Sequence, residues 1–165
     1  MLNVRKLTVI GSILSLLGTS CRDSEVEAPR AGTSLVLRDA RSVDHRMFIK
    51  DPTIKATVVV FLMTDCPVAN AMVPDLVAMA SHYGPLGVRF YGVFAGESEE
   101  AILKHSESYR IPFPCLLDNS CQLAGMVGAS RVPEAAILSA DGAPVYCGRI
   151  DDRAVKTGRI KPQPS

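Results

Sequence analysis

The sequence predicts an α/β fold in which a mixed central sheet carries helices on both faces. Val58 to Leu62 is a β-branched, apolar run of the kind that forms a buried strand, and apolar residues at helical spacing follow it directly. Strand and helix patterns then alternate until a closing strand pair. With 165 residues, of which 47% are hydrophobic, the chain can form one domain with a substantial core.

The first half of the chain supplies the centre of this fold. We expect an N-terminal strand pair between Leu35 and Ile49, before the buried strand Val58 to Leu62. A helix then begins at Pro67, because proline suits the first helical turn, where its missing N–H is no loss. Its inward face is predicted from the apolar spacing of Val68, Met72, Leu76, Met79 and Tyr83.

The second half continues the alternation. The turn from Gly84 to Gly87 leads into a second buried strand, Val88 to Phe94. The remaining predicted elements are a helix capped by Ser98 that runs to Tyr109, a short strand over Cys115 to Leu117, a short helix over Gln122 to Val127, and a strand pair, Ala135 to Leu138 and Val145 to Gly148, joined at Asp141-Gly142.

The N-terminus has the pattern of an export signal. Arg5 and Lys6 precede an apolar run, and small residues follow it up to Cys21, so residues 1–20 are interpreted as a secretory signal and excluded from the fold. The small residues before Cys21 also fit a lipoprotein signal, in which Cys21 becomes the lipidated N-terminus, although Gly18 stands where leucine is usual. Simple secretion and an uncleaved anchor remain open. Each alternative predicts an exported domain in the periplasm or cell envelope.

The boundaries follow from this interpretation. Residues 21–33 are polar and form a tether, residues 34–152 form the folded domain, and residues 153–165 form an irregular tail. A net charge of +1 without a run of Lys or Arg predicts no nucleic-acid binding. Membrane association is expected only through the N-terminal lipid or anchor. His45, His82 and His105 are scattered and expected at the surface or at helix ends, so neither a metal nor another cofactor is predicted.

Cys66 is the main candidate for a functional residue. It lies between the buried strand and the helix that opens with Pro67, where the partial positive charge of a helix N-terminus favours thiolate over thiol. The alternative is a structural cysteine, since free cysteines are often only small apolar residues.

Two separated motifs resemble the thioredoxin-like superfamily, most closely the exported bacterial redoxins of the AhpC/TSA or TlpA type. Residues 65–69, DCPVA, match the W-C-P-x-C pattern at the start of the family's active-site helix, and Pro74 stands at its kinking proline. Residues 127–142, VGASRVPEAAILSADG, match the run that carries the family's cis-proline, with Pro133 in that place. The resemblance implies a thioredoxin-like three-layer fold. The usual C-terminal helix is expected to be absent, because Arg149 to Ser165 has no apolar helical stripe.

The resemblance also implies a thiol oxidoreductase in which Cys66 attacks a protein or small-molecule disulfide or oxidised thiol beside a substrate groove of Pro67, Val132 and Pro133. Ala69 occupies the position of the family's resolving cysteine, so dithiol exchange cannot run within the motif. The resolving thiol would have to come from elsewhere, and Cys115 and Cys121 are the first candidates, with Cys147 or another molecule as further sources.

Two alternatives to this activity stay open. The first is a peroxiredoxin-like antioxidant that reduces peroxide through Cys66. That activity needs Thr or Ser three residues before the cysteine, where Met63 stands, and an arginine near the penultimate strand, where Pro133 is aligned and Arg131 lies nearby. The second is a thioredoxin-fold binding module without catalysis. Val60 and Met72 occupy the positions at which the family often carries a proton-transferring side chain.

Overall fold

A computed structural model describes residues 35–151 and, for the backbone alone, residues 154–156 and 159–160. The predicted signal, the tether and Cys21 lie outside the described residues. None of the described helices is both long and apolar enough to cross a bilayer.

A five-stranded mixed sheet forms the centre of the domain, in the order β5-β4-β3-β6-β7. β3 pairs in parallel with β4, and β4 with β5, whereas β6 is antiparallel to both β3 and β7. β1 and β2 form a separate antiparallel hairpin. The strands are β1 Leu35–Arg38, β2 Asp44–Met47, β3 Ala56–Phe61, β4 Val88–Phe94, β5 Cys115–Leu117, β6 Glu134–Ser139 and β7 Pro144–Gly148.

Helices cover both faces of this sheet, which confirms the three-layer prediction. They are α1 Pro67–Tyr83, α2 Glu99–Ser108 and α3 Gln122–Val127, with one 3-10 turn at Gly84–Leu86. Alternate residues of β3 point to opposite faces. Val60 and Leu62 join a cluster with α1 and α2, whereas Val59 and Phe61 join a second cluster with α3 and the β1–β2 hairpin.

The inward face of α1 differs in part from its predicted stripe. Met72 and Leu76 are buried as expected, but Met79 and Tyr83 are 40% and 43% exposed. The stripe that contacts the core continues instead through Val77 and Ala80, which pack against the first cluster. A helix turns 100° per residue, so Ala80 points in nearly the same direction as Leu76, towards the core. Met79 points further to the side and lies at the edge of the buried face.

The chain after β7 also differs from the irregular tail expected for residues 153–165. Two short strands, β8 Ala154–Lys156 and β9 Arg159–Ile160, pair as an antiparallel hairpin. Among the residues that the structure describes after Gly148, there is no helix.

Candidate functional site

Cys66 lies at the end of the turn that joins β3 to α1. The N–H of Leu62 still donates to the carbonyl of Val93 at 2.9 Å, after which the chain leaves the sheet. The turn from Met63 closes with a hydrogen bond of 3.2 Å from the N–H of Cys66 to the carbonyl of Met63. Cys66 is the N-cap residue of α1, with an extended backbone, and is half-buried.

The helix N-terminus determines the electrostatics at the Cys66 sulfur. Pro67 occupies the first helical position, and the first turn of α1 contains no acidic residue. The free N–H groups of a first turn and the dipole of the helix together favour negative charge at the N-cap. Cys66 therefore lies against the positive end of the α1 dipole.

A polar network lies directly behind the Cys66 turn. The side-chain Nδ2 of Asn70 donates to the carbonyl of Thr64 at 2.9 Å, and its Oδ1 lies 2.8 Å from Nε2 of His105. The N–H of Thr64 donates to the two carboxylate oxygens of Glu97 at 3.1 and 3.3 Å. The turn is thus held by side chains from α1, α2 and the β4–α2 loop.

His105 lies at a helix end, which is one of the two expectations for the histidines, but it does not lie at the surface. It is in the last turn of α2, but its side chain is buried between the rings of Phe94 and Tyr109, with centroid separations of 5.7 and 4.7 Å. Burial lowers the pKa of His105, although the negative charge of Glu97 opposes this. The sequence contains a signal for this position, because Ile102, a buried residue, precedes His105 by one helical turn.

The expected cis-proline is present and lies at the same end of the sheet as Cys66. The Val132–Pro133 bond is cis, and Glu134, the next residue, pairs with Phe61 at the end of β3. The buried carboxylate of Glu134 accepts hydrogen bonds from the N–H groups of Ser130 and Arg131 at 2.8 and 3.2 Å. Fixed in this way, the loop leaves Val132 and Pro133 half-buried, while Pro67 is exposed.

Cys115 is poorly suited to the resolving role. All four cysteines between residues 35 and 151 are free thiols, but Cys115 is buried, on a strand separated from β3 by β4. Burial raises its pKa to about 12, and the Asp39 carboxylate adds to the effect. A thiol that stays protonated is neither a nucleophile nor a good leaving group.

Cys121 is more accessible than Cys115. It is the exposed N-cap residue of α3. The β4–α2 loop connects its surroundings with the Cys66 turn, because the N–H of Gly96 donates to Oδ1 of Asn119 at 3.1 Å and Glu97 binds Thr64. Cys121 therefore remains a candidate.

Neither Cys147 nor residue 69 is a better source of the second thiol than Cys121. Cys147 lies half-buried on β7, and burial together with the Glu134 carboxylate raises its pKa. Ala69 is completely buried in the first core cluster beside Met72.

The raised pKa of Cys115 predicts a loss of stability at alkaline pH. The folded protein keeps the thiol proton up to a pKa of about 12, whereas the unfolded chain releases it near the ordinary value of 9.0. This contribution is fully present below pH 9 and is lost as pH rises towards 12. In urea unfolding, the stability difference between the wild type and Cys115→Ala should be constant from pH 7 to 8.5 and shrink by pH 10.5. A constant difference would contradict the assignment.

Comparison with known proteins gives the family. A model described as the AhpC/TSA family matches residues 34–144. No curated protein matches the chain. Among solved structures, an uncharacterized conserved protein from Geobacillus kaustophilus has a TM-score of 0.70 and 25% identity, over 84% of this chain and 77% of its own. A hypothetical protein from Sinorhizobium meliloti has a TM-score of 0.67 and 25% identity, over 80% and 75%.

A third structure is more distant in sequence. It is a secreted disulfide oxidoreductase from Mycobacterium tuberculosis, homologous to E. coli DsbE, with a TM-score of 0.57 and 19% identity, over 67% of this chain and 80% of its own. At that identity the likeness supports the fold alone. Since the family model covers more than half of the chain, the protein belongs to the AhpC/TSA family.

Proposed function

We propose that the protein is an exported thiol oxidoreductase that acts through Cys66 as its single nucleophilic cysteine. The observation that carries this proposal is the position of Cys66, a half-buried thiol at the N-cap of α1, at the same sheet edge as the cis-Pro133 loop. Pro67, Val132 and Pro133 would line the approach of a partner. Ala69, in place of the second cysteine, makes the local motif monothiol.

The proposed reaction is thiol–disulfide exchange. The Cys66 thiolate attacks one sulfur of a protein or small-molecule disulfide, a new disulfide joins Cys66 to that sulfur, and the other sulfur leaves as a thiolate. A sulfenic acid would react similarly, with hydroxide as the leaving group. A second thiol then attacks the mixed disulfide and releases Cys66. Because Cys115 stays protonated and the pKa of Cys147 is raised by burial and by Glu134, this thiol belongs to another molecule or is Cys121.

A peroxiredoxin-like activity is the second candidate, and the AhpC/TSA family match is the observation that favours it. In that reaction the Cys66 thiolate attacks a peroxide oxygen, the O–O bond breaks, and Cys66 becomes a sulfenic acid that a thiol reduces. Met63 carries no hydroxyl to orient the peroxide, and Arg131 is 71% exposed and paired with Glu134. These departures make disulfide exchange the better-supported reaction.

Export and lipidation complete the proposal. Arg5 and Lys6, the apolar run and the small residues before Cys21 support an exported chain with a lipidated Cys21. The description of the Mycobacterium tuberculosis relative as secreted is in keeping with export. Incorporation of labelled palmitate that is lost in Cys21→Ala is the expected result. A mature protein without lipid would contradict the anchor.

A comparison of two substrates tests the reaction class. The reduced protein, given glutathione disulfide at pH 7, should gain one glutathione at Cys66 in intact and peptide mass spectra, because a thiolate at a helix N-terminus attacks disulfides. Cys66→Ser should abolish this product, whereas the control Cys147→Ser should not. Consumption of hydrogen peroxide by the same protein should be slower. Peroxide consumption that is faster and depends on Cys66 would favour the second candidate.

Independence of both reactions from Cys66 would favour the third alternative, a binding module without catalysis. In that case Cys66→Ser should behave as the wild type does in every assay.

Ala69→Cys tests the monothiol character of the site. A thiol at position 69 lies one helical turn after Cys66, in the first turn of α1, where the helix dipole favours its thiolate despite burial. It can therefore resolve the mixed disulfide within the same molecule, and we expect insulin disulfide reduction to rise about tenfold or more. Ala69→Ser is the matched control, because serine has a volume similar to that of cysteine at this fully buried position but carries no thiol. Equal activity of the two variants would contradict the nucleophilic role of Cys66.

A further inference from the structure

We propose that Asn70 and His105 act as a pair of positioning residues that hold the Cys66 turn in its reactive geometry. The inference rests on the proposed function, because it assigns the residues that support the same nucleophile. Neither residue belongs to the motifs from which Cys66 was identified, and the two lie 35 positions apart in the sequence.

Asn70 binds the turn through its side chain. Nδ2 donates to the carbonyl of Thr64 at 2.9 Å, two residues before Cys66. The backbone N–H of Asn70 donates to the carbonyl of Cys66 at 2.9 Å, which is the first regular hydrogen bond of α1 and would be made by any residue here. The conformation of the turn before Cys66 is therefore tied to the Asn70 amide through the bond to Thr64.

His105 fixes that orientation. Since Nδ2 of Asn70 donates to Thr64, the atom that faces His105 is Oδ1, which can only accept a hydrogen bond. The proton of the imidazole must then be on Nε2, at a distance of 2.8 Å. A flipped Asn70 amide would set its NH₂ group against this N–H and would also lose the bond to Thr64.

The imidazole of His105 occupies a buried position although its second ring nitrogen, Nδ1, makes no hydrogen bond to a described residue. The side chain of His105 is only 6% exposed, and its Nδ1 has no hydrogen-bond partner among the described residues. A buried nitrogen without a partner destabilises the fold, so an apolar residue would suit this position better for packing alone. The bond to Asn70 is the interaction that only a donor at this position can provide.

The position of Asn70 in α1 explains why it needs support. Pro74 lies inside the helix and has no N–H, so the carbonyl of Asn70 lacks the usual helical hydrogen bond. The first turn of α1 is consequently joined less tightly to the rest of the helix than a regular turn would be. The contact with α2 through His105 replaces part of that connection.

The test measures the rate at which Cys66 forms a mixed disulfide with glutathione disulfide at pH 7, with thermal unfolding measured in parallel. Asn70→Ala and His105→Leu should each lower the rate about tenfold. The double variant should be no slower than the slower single variant, because both residues act through one contact. His105→Gln, whose amide can still donate to Oδ1 of Asn70, should recover most of the rate.

His45→Leu is the matched control for general destabilisation. It removes a histidine whose Nε2 makes a 2.8 Å bond to the buried Asp39, in the β1–β2 hairpin. This variant should unfold at a lower temperature and keep the wild-type rate. A wild-type rate in Asn70→Ala, a wild-type rate in a folded His105→Leu, a rate in His105→Gln as low as that expected for His105→Leu, or an equal loss of rate in His45→Leu would each overturn the pair's role. If Cys66 of the wild type does not react at all, the proposed function itself fails.

Discussion

The buried strand β3 is the element on which the rest of the structure depends. It pairs with β4 on one side and β6 on the other, and its side chains are buried on both faces, with Val59 and Val60 completely inaccessible. Burial of a valine side chain contributes about 1.5–3 kcal/mol, so the position of this strand is strongly determined. The turn and the helix α1 that follow Phe61 therefore begin at a well-determined position. The Cys66 turn is therefore attached to the central strand of the sheet.

Three other segments reach the sheet edge at which this turn lies. The end of β4 continues into the loop with Glu97, α2 brings His105 against Asn70, and the antiparallel neighbour β6 begins directly after the cis-Pro133 loop. Each segment is held by backbone pairing or buried contacts of its own. β4 is parallel to β3 and ends at this edge, whereas β6 is antiparallel to β3 and begins there. The loop after β4 and the loop before β6 therefore lie at the same edge of the sheet. A nucleophile at this edge is supported from within the domain and open to a partner from outside.

The sequence predicts the features that depend on local pattern and fails where distant residues meet. The apolar run of β3 and the helix that begins at Pro67 each have a local signature, whereas the cis bond at Pro133 is expected from the family resemblance; all three are confirmed. The bond between Asn70 and His105 has none, because it exists only once α1 and α2 have packed on one face of the sheet. Likewise, the protonated state of Cys115 follows from its burial on β5, which depends on the neighbouring strand.

The central claim is that Cys66 forms a covalent mixed disulfide with its partner. The most direct measurement traps this species in cells that express the full chain, by acid quenching and thiol blocking, followed by peptide mass spectrometry. Partner peptides joined to Cys66 through a disulfide are expected in the wild type and should be absent in Cys66→Ser. A Cys66 recovered only as the blocked free thiol, with partners joined to Cys121 or Cys147 instead, would contradict it.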